Sequence, residues 1–315
     1  MRPRSILLAA LAAAPEMALA QEVGTVALVL GQRGSGFHQA IACGARSAAD
    51  ELGVEVEIQA AANYAATEQI PLLNSVLATG PAAVVLDPTS STSLVAPLAE
   101  AASQGVVIVA VDTTVDDPSM LSAEIATDNF QVGVETAKAL VGLLDGRTGA
   151  VAQVNSIPGI STVDARIAGF EDEIAKHPEL TYIGNQFASE DVAQAQQAFG
   201  SLMSAHPDLV GVAAQSNNPA IGIAGGIRAA GVADQVVAVG VDADPPEIEA
   251  LKEGLLDALV IQQPWEMGHQ GVTQAVAALR GEPVTTPIGT GTVTATAETI
   301  GAPEVIRFLY EGDCM

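Results

Sequence analysis

Short runs rich in Val, Ile, Leu and Ala alternate along the first part of the chain with longer stretches of helical period. The runs that we predict as strands are residues 23–30, 54–58, 82–86 and 106–111. The stretches that we predict as helices are residues 37–52, 66–78 and 94–104, and a glycine follows each of them. This alternation is typical of βαβ units that build a parallel sheet. Because the strand runs are almost continuously apolar, both faces of the sheet should be covered.

The same alternation starts again after Thr127. The predicted strands are residues 150–155, 180–186, 209–214, 236–241 and 256–262. The predicted helices are residues 130–144, 161–177, 191–205, 219–230, 246–253 and 265–279. Two successive sets of about five βα units predict an α/β protein made of two doubly wound parallel-sheet lobes.

The N-terminus has the pattern of an export signal. Residues 1–4 are basic, residues 6–14 are apolar, and Ala18-Leu19-Ala20 matches the small-x-small cleavage rule. The apolar run is shorter than the roughly 20 residues that a membrane-spanning helix needs. We therefore predict a signal peptide over residues 1–20, cleavage after Ala20, and a periplasmic protein.

Composition narrows the function further. Apolar residues make up 49% and charged residues 16% of the chain, as in a globular protein, and the net charge is -25. Such an acidic surface repels phosphate backbones, so nucleic acid is excluded as an expected partner. The sequence has no Gly-x-Ser-x-Gly, no His-Glu-x-x-His and no cluster of His or Cys, so we expect no hydrolase, no metal site and no enzyme.

Cys43 and Cys314 are the two cysteines of the chain. In an oxidising compartment two cysteines most simply form one disulfide, which here would join the end of the chain to an early helix. Two unpaired thiols remain the alternative.

Ligands of open parallel sheets bind outside the carboxyl ends of the strands. The candidate residues found there are Ser35, Phe37, His38, Asp112, Thr113, Ser216, Asn217, Asp242 and Gln262. Carboxylates and amides exchange hydrogen bonds with neighbouring hydroxyls, and Phe37 could cover the apolar face of a sugar ring. Arg166, near the start of a predicted helix, either meets a hydroxylated or anionic ligand or forms a surface salt bridge with Glu171 or Asp172.

Seven short motifs occur in order at these positions. They are Gly34-Ser35-Gly36-Phe37, residues 107–112, Ala126-Thr127-Asp128-Asn129, residues 166–170, Ala214-Gln215-Ser216-Asn217, residues 239–242 and Ile261-Gln262-Gln263-Pro264. Together they resemble the periplasmic sugar-binding proteins of ABC transporters, of the ribose-binding type. The resemblance runs from about Val23 to Val293. It implies that Phe37 stacks on a sugar ring and that Asp112, Arg166, Asp242 and Gln262 bind its hydroxyls.

The resemblance also implies a type I periplasmic binding fold with a three-strand hinge. The chain would cross between lobes near Thr127-Asp128, Gln262-Gln263 and Gly289-Thr290. The lobes would comprise residues 21–127 with 263–289 and residues 128–262 with 290–294, followed by an extension, residues 295–315. A monomer without a cofactor would bind a monosaccharide or related polyol by hinge closure and deliver it to a membrane permease. Delivery to a chemoreceptor or sensor kinase is the alternative.

Four positions depart from the ribose-binding pattern. Thr113 stands where an arginine is expected, His38 replaces a second aromatic residue, and the expected Asn is Ser216 or is shifted to Asn217. Glu190 lies near the place of a missing loop aromatic and is therefore also a candidate ligand-binding residue. These departures argue against ribose itself as the ligand.

Two other classes fit parts of the sequence. Gly31, Gly34 and Gly36 follow a strand and open a helix, as in NAD(P)-dependent oxidoreductases, but no Tyr-x-x-x-Lys set accompanies them. A sugar-sensing repressor shares the fold but needs a DNA-binding headpiece where the signal peptide stands.

Overall fold

The computed structural model describes residues 23–306 and 308–310. The predicted signal peptide and Cys314 lie outside these residues. The strands are β1 (Val26–Leu30), β2 (Val56–Ala60), β3 (Ala83–Leu86), β4 (Val107–Val111), β5 (Ala123–Thr127), β6 (Gly149–Asn155), β7 (Leu180–Phe187), β8 (Leu209–Ala213), β9 (Val237–Val241), β10 (Ala258–Ile261), β11 (Ile288–Thr290) and β12 (Val293–Ala295). The helices are α1 (Gly36–Leu52), α2 (Ala66–Leu77), α3 (Val95–Ser103), α4 (Asn129–Leu144), α5 (Ser161–Ile174), α6 (Val192–Ala205), α7 (Asn217–Ala230), α8 (Pro245–Lys252), α9 (Pro264–Leu279) and α10 (Pro303–Ile306).

The first lobe is built on a parallel sheet in the order β11-β5-β4-β3-β1-β2. Every residue of β1 is buried, because helices cover both faces of the sheet. Leu28 faces the cluster that contains Ile41 of α1, whereas Val29 faces the cluster that contains Leu73 of α2 and Leu98 of α3. The doubly covered sheet predicted from the apolar strands is confirmed.

The second lobe repeats this plan with the order β12-β10-β9-β8-β6-β7, in which only β12 runs antiparallel to its neighbour among the described strands. Helices α4 and α5 pack on one face, where Leu140 and Phe170 are buried. A side chain on Gly133 of α4 would collide with the backbone carbonyl of Arg166 on α5. This close approach of the two helices places Arg166 beside the start of α4.

Three chain segments connect the lobes. β5 lies in the first sheet and leads to α4 of the second lobe, β10 leads back to α9, and β11 and β12 lie in different sheets. α9 packs against α1 of the first lobe. Thr127 Oγ1 donates to Gln262 Oε1 over 2.9 Å and lies 3.1 Å from Thr290 Oγ1. Side chains from all three connections therefore meet at one point of the hinge. The fold class predicted from the sequence, two lobes joined by a three-strand hinge, is confirmed.

Several element boundaries differ from the predictions. β2 begins at Val56 rather than residue 54, because the amide of Val54 caps α1 by donating to the carbonyl of Ala49 over 3.0 Å. α5 ends at Ile174 rather than at residue 177. The amide of His177 donates to the carbonyl of Ile174 in a tighter turn that ends the helix. β5, β11 and β12 were not predicted as strands; β11 and β12 have three residues each, which is too short for a recognisable period.

The C-terminal extension folds onto the protein in its described part. Ile300, Val305, Phe308 and Tyr310 are buried there. No helix among residues 23–306 and 308–310 has the length and hydropathy that crossing a bilayer requires.

Candidate functional site

A cleft between the lobes faces the carboxyl ends of both sheets. About 530 Å³ of space, including the open mouth of the cleft, lies between the lining residues. Its lining consists of Gln32, Ser35, Phe37, His38, Tyr64, Asp112, Ile160, Thr162, Val163, Arg166, Glu190, Ser216, Asn217, Asp242 and Gln262. Of the residues predicted to bind the ligand, Thr113 is outside this lining, and its hydroxyl lies 3.2 Å from the hydroxyl of Tyr64.

The first lobe contributes His38, which lines the cleft, and the buried carboxylate of Asp87 behind it. Asp87 follows β3 and accepts hydrogen bonds from the amide of Gly31 and from His38 Nε2, at 3.2 and 2.8 Å. Burial lowers the pKa of His38, but the bond to Asp87 and the charges of nearby carboxylates outweigh it, so the pKa is raised overall. His38 thus meets Asp87 with the edge of its ring and lies beside Phe37, 5.5 Å away between ring centres.

Asp112 follows β4 at the centre of the first sheet edge. Its φ of 61° is in the left-handed region, and its amide donates to the carbonyl of Ile125 over 2.9 Å. Oδ1 is buried and has no hydrogen-bond partner among the described residues, while Thr113 Oγ1 donates to Oδ2 over 3.3 Å. Burial and the charge of Asp87 raise the pKa of Asp112 to about 7. Asp112 is therefore a carboxyl group with an unused acceptor beside the cleft.

Asp242 follows β9 at the matching position of the second lobe. Its φ is 95°, and its amide donates to the carbonyl of Val260 over 3.0 Å. Two donors meet its Oδ1: Gln262 Nε2 at 2.8 Å and the hydroxyl of Tyr310 at 3.0 Å. Gln262 and Tyr310 therefore hold the Asp242 carboxylate in place without a ligand.

Arg166 is 3% exposed and is held by three acceptors. Its guanidinium donates to Asn129 Oδ1 at 2.7 Å, to the carbonyl of Gln215 at 2.8 Å and to Gln262 Oε1 at 2.8 Å. A surface salt bridge with Glu171 or Asp172, the alternative left open by the sequence, is wrong because the side chain points into the cleft. The five N–H groups of a guanidinium leave donors free for a ligand.

The two lobes touch across the cleft. Asp244 Oδ1 of the second lobe accepts a hydrogen bond from the amide of Phe37 in the first lobe over 3.0 Å, while its Oδ2 accepts one from Asn217 Nδ2 over 2.8 Å. At the mouth, the amide of Thr114 donates to Ser161 Oγ over 3.4 Å. These contacts define a closed arrangement of the lobes.

Carboxylates dominate the electrostatics of the second lobe's edge. Burial raises the pKa of Glu190, of Asp244 and, well above its ordinary range, of Glu247. Glu190 receives hydrogen bonds from Asn218 Nδ2 at 3.2 Å on both its backbone and its side chain. Within the described residues, no three His, Cys, Asp or Glu side chains are grouped so as to hold a metal ion. The lining of the cleft therefore contains three carboxyl groups, those of Asp112, Glu190 and Asp242, and one guanidinium, that of Arg166.

Some residues of the site were not among the predicted ones. Tyr64 follows β2 and closes one wall, Asn129 orients Arg166, and Tyr310 comes from the C-terminal extension. Asp87 and Asp244 are polar residues that follow β3 and β9, and this position was the signal that the sequence offered for them. Tyr310 gave no signal, because its contacts join residues far apart in the chain.

Comparison with known proteins places the chain in a family. Residues 26–283 match the model of the periplasmic binding protein domain. The ribose import binding protein of Salmonella typhimurium is 28% identical over 260 residues, covering 82% of this chain and 86% of that protein. The crystal structure of an ABC transporter solute-binding protein from Agrobacterium vitis, bound with α-D-tagatopyranose, has a TM-score of 0.88 and 34% identity, covering 91% of this chain and 99% of that one. A carbohydrate transporter solute-binding protein from Agrobacterium radiobacter, in complex with D-arabinose, has a TM-score of 0.86 and 29% identity, covering 91% and 98% of the two chains.

The chain belongs to the periplasmic binding protein family. Its fold and its relatives are those of substrate-binding transport proteins and not of enzymes.

Proposed function

We propose that this protein is the solute-binding component of an ABC importer and that it holds a monosaccharide or related polyol between its lobes. The observation that carries the proposal is the arrangement of Asp112 on one lobe opposite Asp242 and Arg166 on the other, around one cleft. Acceptors and donors so arranged match a ligand whose neighbouring hydroxyls both donate and accept. The ligand partners would be the predicted residues that line this cleft, namely Ser35, Phe37, His38, Asp112, Arg166, Glu190, Ser216, Asn217, Asp242 and Gln262.

Binding would proceed by hinge closure. Asp112 and Asp242 belong to different lobes, so a sugar can bond both only when the lobes are closed. A ligand that binds the closed form better shifts the population toward it, and a few kcal/mol suffice for such a shift. The closed monomer would then present one joint surface of its two lobes to the membrane permease.

The identity of the sugar is narrowed by the departures from the ribose-binding pattern. His38 is bonded to Asp87, and Thr113 contacts Tyr64, so neither takes the place of an arginine or of a stacking ring. Two of the solved relatives hold α-D-tagatopyranose and D-arabinose. We therefore propose as the ligand a ketohexose, or an aldopentose other than ribose, in ring form.

A thermal shift screen followed by calorimetry tests this function. D-tagatose, D-arabinose and D-ribose are added separately to the purified protein, with NAD⁺ as the probe of the oxidoreductase alternative. A sugar present at about 100 times its Kd stabilises the folded state by about 2.7 kcal/mol, which raises the Tm by about 5 °C or more. Stabilisation by NAD⁺ and by no sugar would refute the proposal.

Export and a disulfide complete the proposal. The signal peptide would be removed after Ala20, and Cys43, on α1, would pair with Cys314 in the periplasm. Intact-mass measurement of the periplasmic protein tests both: the chain should begin at Gln21 and take up alkylating agent only after reduction. A chain that keeps residues 1–20, or that is alkylated without reduction, contradicts the respective part.

A further inference from the structure

We infer that the described part of the C-terminal extension, as far as Tyr310, is a strap across the hinge, in which Tyr310 is a positioning residue that orients Asp242 and Gln262 toward the ligand. The inference rests on the proposed function, since it assigns Tyr310 a role in the same cleft. Tyr310 is 1% exposed. A phenol hydroxyl buried to this extent needs hydrogen-bond partners in the protein.

The hydroxyl of Tyr310 uses both of its hydrogen-bonding roles. It donates to Asp242 Oδ1 over 3.0 Å and accepts from the backbone amide of Gln262 over 3.3 Å. Because Gln262 Nε2 also donates to the same Oδ1, this oxygen is saturated by the protein. The carboxylate is thereby fixed in rotation, and Oδ2 is left for the hydroxyls of a ligand.

The same residue also contacts the first lobe. Its ring meets Phe37 edge to face, with ring centres 5.6 Å apart. Its backbone carbonyl lies against Gly36, where a side-chain Cβ would come within 3.1 Å of that oxygen and 2.6 Å of Asp244 Oδ1. Gly36 therefore permits the close approach of the extension, the first lobe and Asp244 in the closed arrangement.

The rest of the extension anchors this contact. β12 pairs with β10 of the second sheet, and Ile300 and Val305 are buried in the main apolar cluster. Tyr310 thus connects an anchored segment of the second lobe with the hinge residue Gln262 and with Phe37 of the first lobe. A group so placed acts on ligand affinity through Asp242, without itself being among the residues that line the cleft.

Tyr310→Phe tests the strap, because it removes the hydroxyl and keeps the ring. Tyr182→Phe is the matched control: Tyr182 lies on the edge strand β7 of the second sheet, and its hydroxyl also has two partners, Gln153 and Glu171. In the sugar-free protein, hydrogen exchange of the Gln262 amide should become at least about fivefold faster in Tyr310→Phe only. Exchange in β8 serves as the check that the variant is folded.

The binding arm uses D-tagatose and D-arabinose in calorimetry and stopped flow. Loss of a buried hydrogen bond to a carboxylate predicts a Kd about tenfold weaker in Tyr310→Phe, mainly through faster dissociation, and an unchanged Kd in Tyr182→Phe. If the wild-type protein binds a sugar and Tyr310→Phe binds it equally well, the positioning role is overturned while the proposed function stands. If Gln262 exchange rises but the wild-type protein binds neither sugar nor D-ribose, the strap is supported and the proposed function is contradicted.

Discussion

Asp112 and Asp242 occupy the same place in the two lobes, yet the protein treats them differently. Each directly follows a central strand, adopts a left-handed φ that is rare outside glycine, and donates its amide to the neighbouring strand. Asp242 then receives two donors from the protein on one oxygen, whereas Asp112 keeps a buried oxygen that has no partner within the described part of the chain. The Asp242 carboxylate is therefore preorganised by the protein, whereas the Asp112 carboxyl has an acceptor that a ligand could use.

This difference between Asp112 and Asp242 indicates that the two lobes contribute to ligand binding in different ways. Preorganised groups lose little freedom when a ligand arrives, so Asp242 should contribute most to affinity. A carboxyl with an unused acceptor and a raised pKa is costly in the empty protein, so Asp112 should favour closure on a ligand that brings donors. The variants below separate these two roles.

The largest effect is expected for Asp242→Ala. The ligand would lose charge-assisted hydrogen bonds of about 1.5–3 kcal/mol each, and Gln262 and Tyr310 would lose their acceptor, so affinity should fall roughly 1000-fold or more. Calorimetry with the tightest-binding sugar measures the loss, and circular dichroism should show an unchanged fold. An unaltered Kd would mean that Asp242 is not a ligand residue.

Arg166→Ala should weaken binding by about 100-fold, because it removes donors to the ligand and also frees Asn129 and Gln262. Arg166→Lys should not restore affinity, since a single ammonium cannot meet three acceptors in the fixed geometry of a guanidinium. Calorimetry on both variants checks this. Wild-type affinity in the lysine variant would show that only the positive charge matters.

Asp112→Asn should weaken binding by about tenfold and should reduce the pH dependence of the affinity. With a pKa of about 7, Asp112 in the sugar-free protein is protonated at acidic pH, and sugar hydroxyls donate more strongly to the ionised form. Affinity of the wild-type protein should therefore fall as the pH drops below 7. Titrations of both proteins from pH 5 to 9 test this, and an equal slope in the asparagine variant would contradict it, since His38 and Glu190 remain to titrate in that variant.

Asp112→Asn should weaken binding but should raise the stability of the sugar-free protein at alkaline pH. The folded-state pKa lies above the ordinary value of 3.8, so the folded protein holds this proton more tightly between the two values. The contribution of Asp112 to stability is therefore present at low pH and is lost as the pH rises toward 7. At pH 8 the sugar-free Asp112→Asn protein should melt at a higher temperature than wild type. A lower Tm would show that the folded protein stabilises the ionised carboxylate of Asp112, contrary to this prediction.

The smallest effect is expected at the mouth of the cleft, for Ser161→Ala. It removes the acceptor of the Thr114 amide, a contact between lobes at 3.4 Å, and should speed dissociation of the sugar about threefold. Ser201→Ala, an exposed serine on α6 that bonds only its own helix among the described residues, is the control. Equal dissociation rates of the sugar from Ser161→Ala and from the wild-type protein in stopped flow would show that the Thr114–Ser161 contact does not stabilise the closed form.

The sequence predicts those parts of this structure that follow from local pattern. Strand ends can be read from apolar runs, and Asp112, Asp242 and Gln262 were found because parallel strands bring their carboxyl ends together. The fold class and the doubly covered sheets follow from the same runs. Boundaries failed where a tertiary contact decides them, as at Val54, whose amide belongs to the cap of α1 and not to β2.

Residues that act through distant contacts could not be predicted in this way. Tyr310 meets Asp242 across 68 positions of the chain, and no periodicity encodes the path of the extension between them. Asn129 was recognised as part of a hinge, but its bond to Arg166 depends on the close packing of α4 on α5, which only the structure supplies. The difference between Asp112 and Asp242 likewise lies in their partners and not in their local sequence.

A crystal structure of the protein with its tightest-binding sugar would show whether one ligand contacts both lobes. We expect one sugar in the cleft, with its hydroxyls within about 3 Å of Asp112 Oδ1, of Asp242 Oδ2 and of the Arg166 guanidinium. A sugar that contacts one lobe only, or that lies outside the cleft, would contradict it.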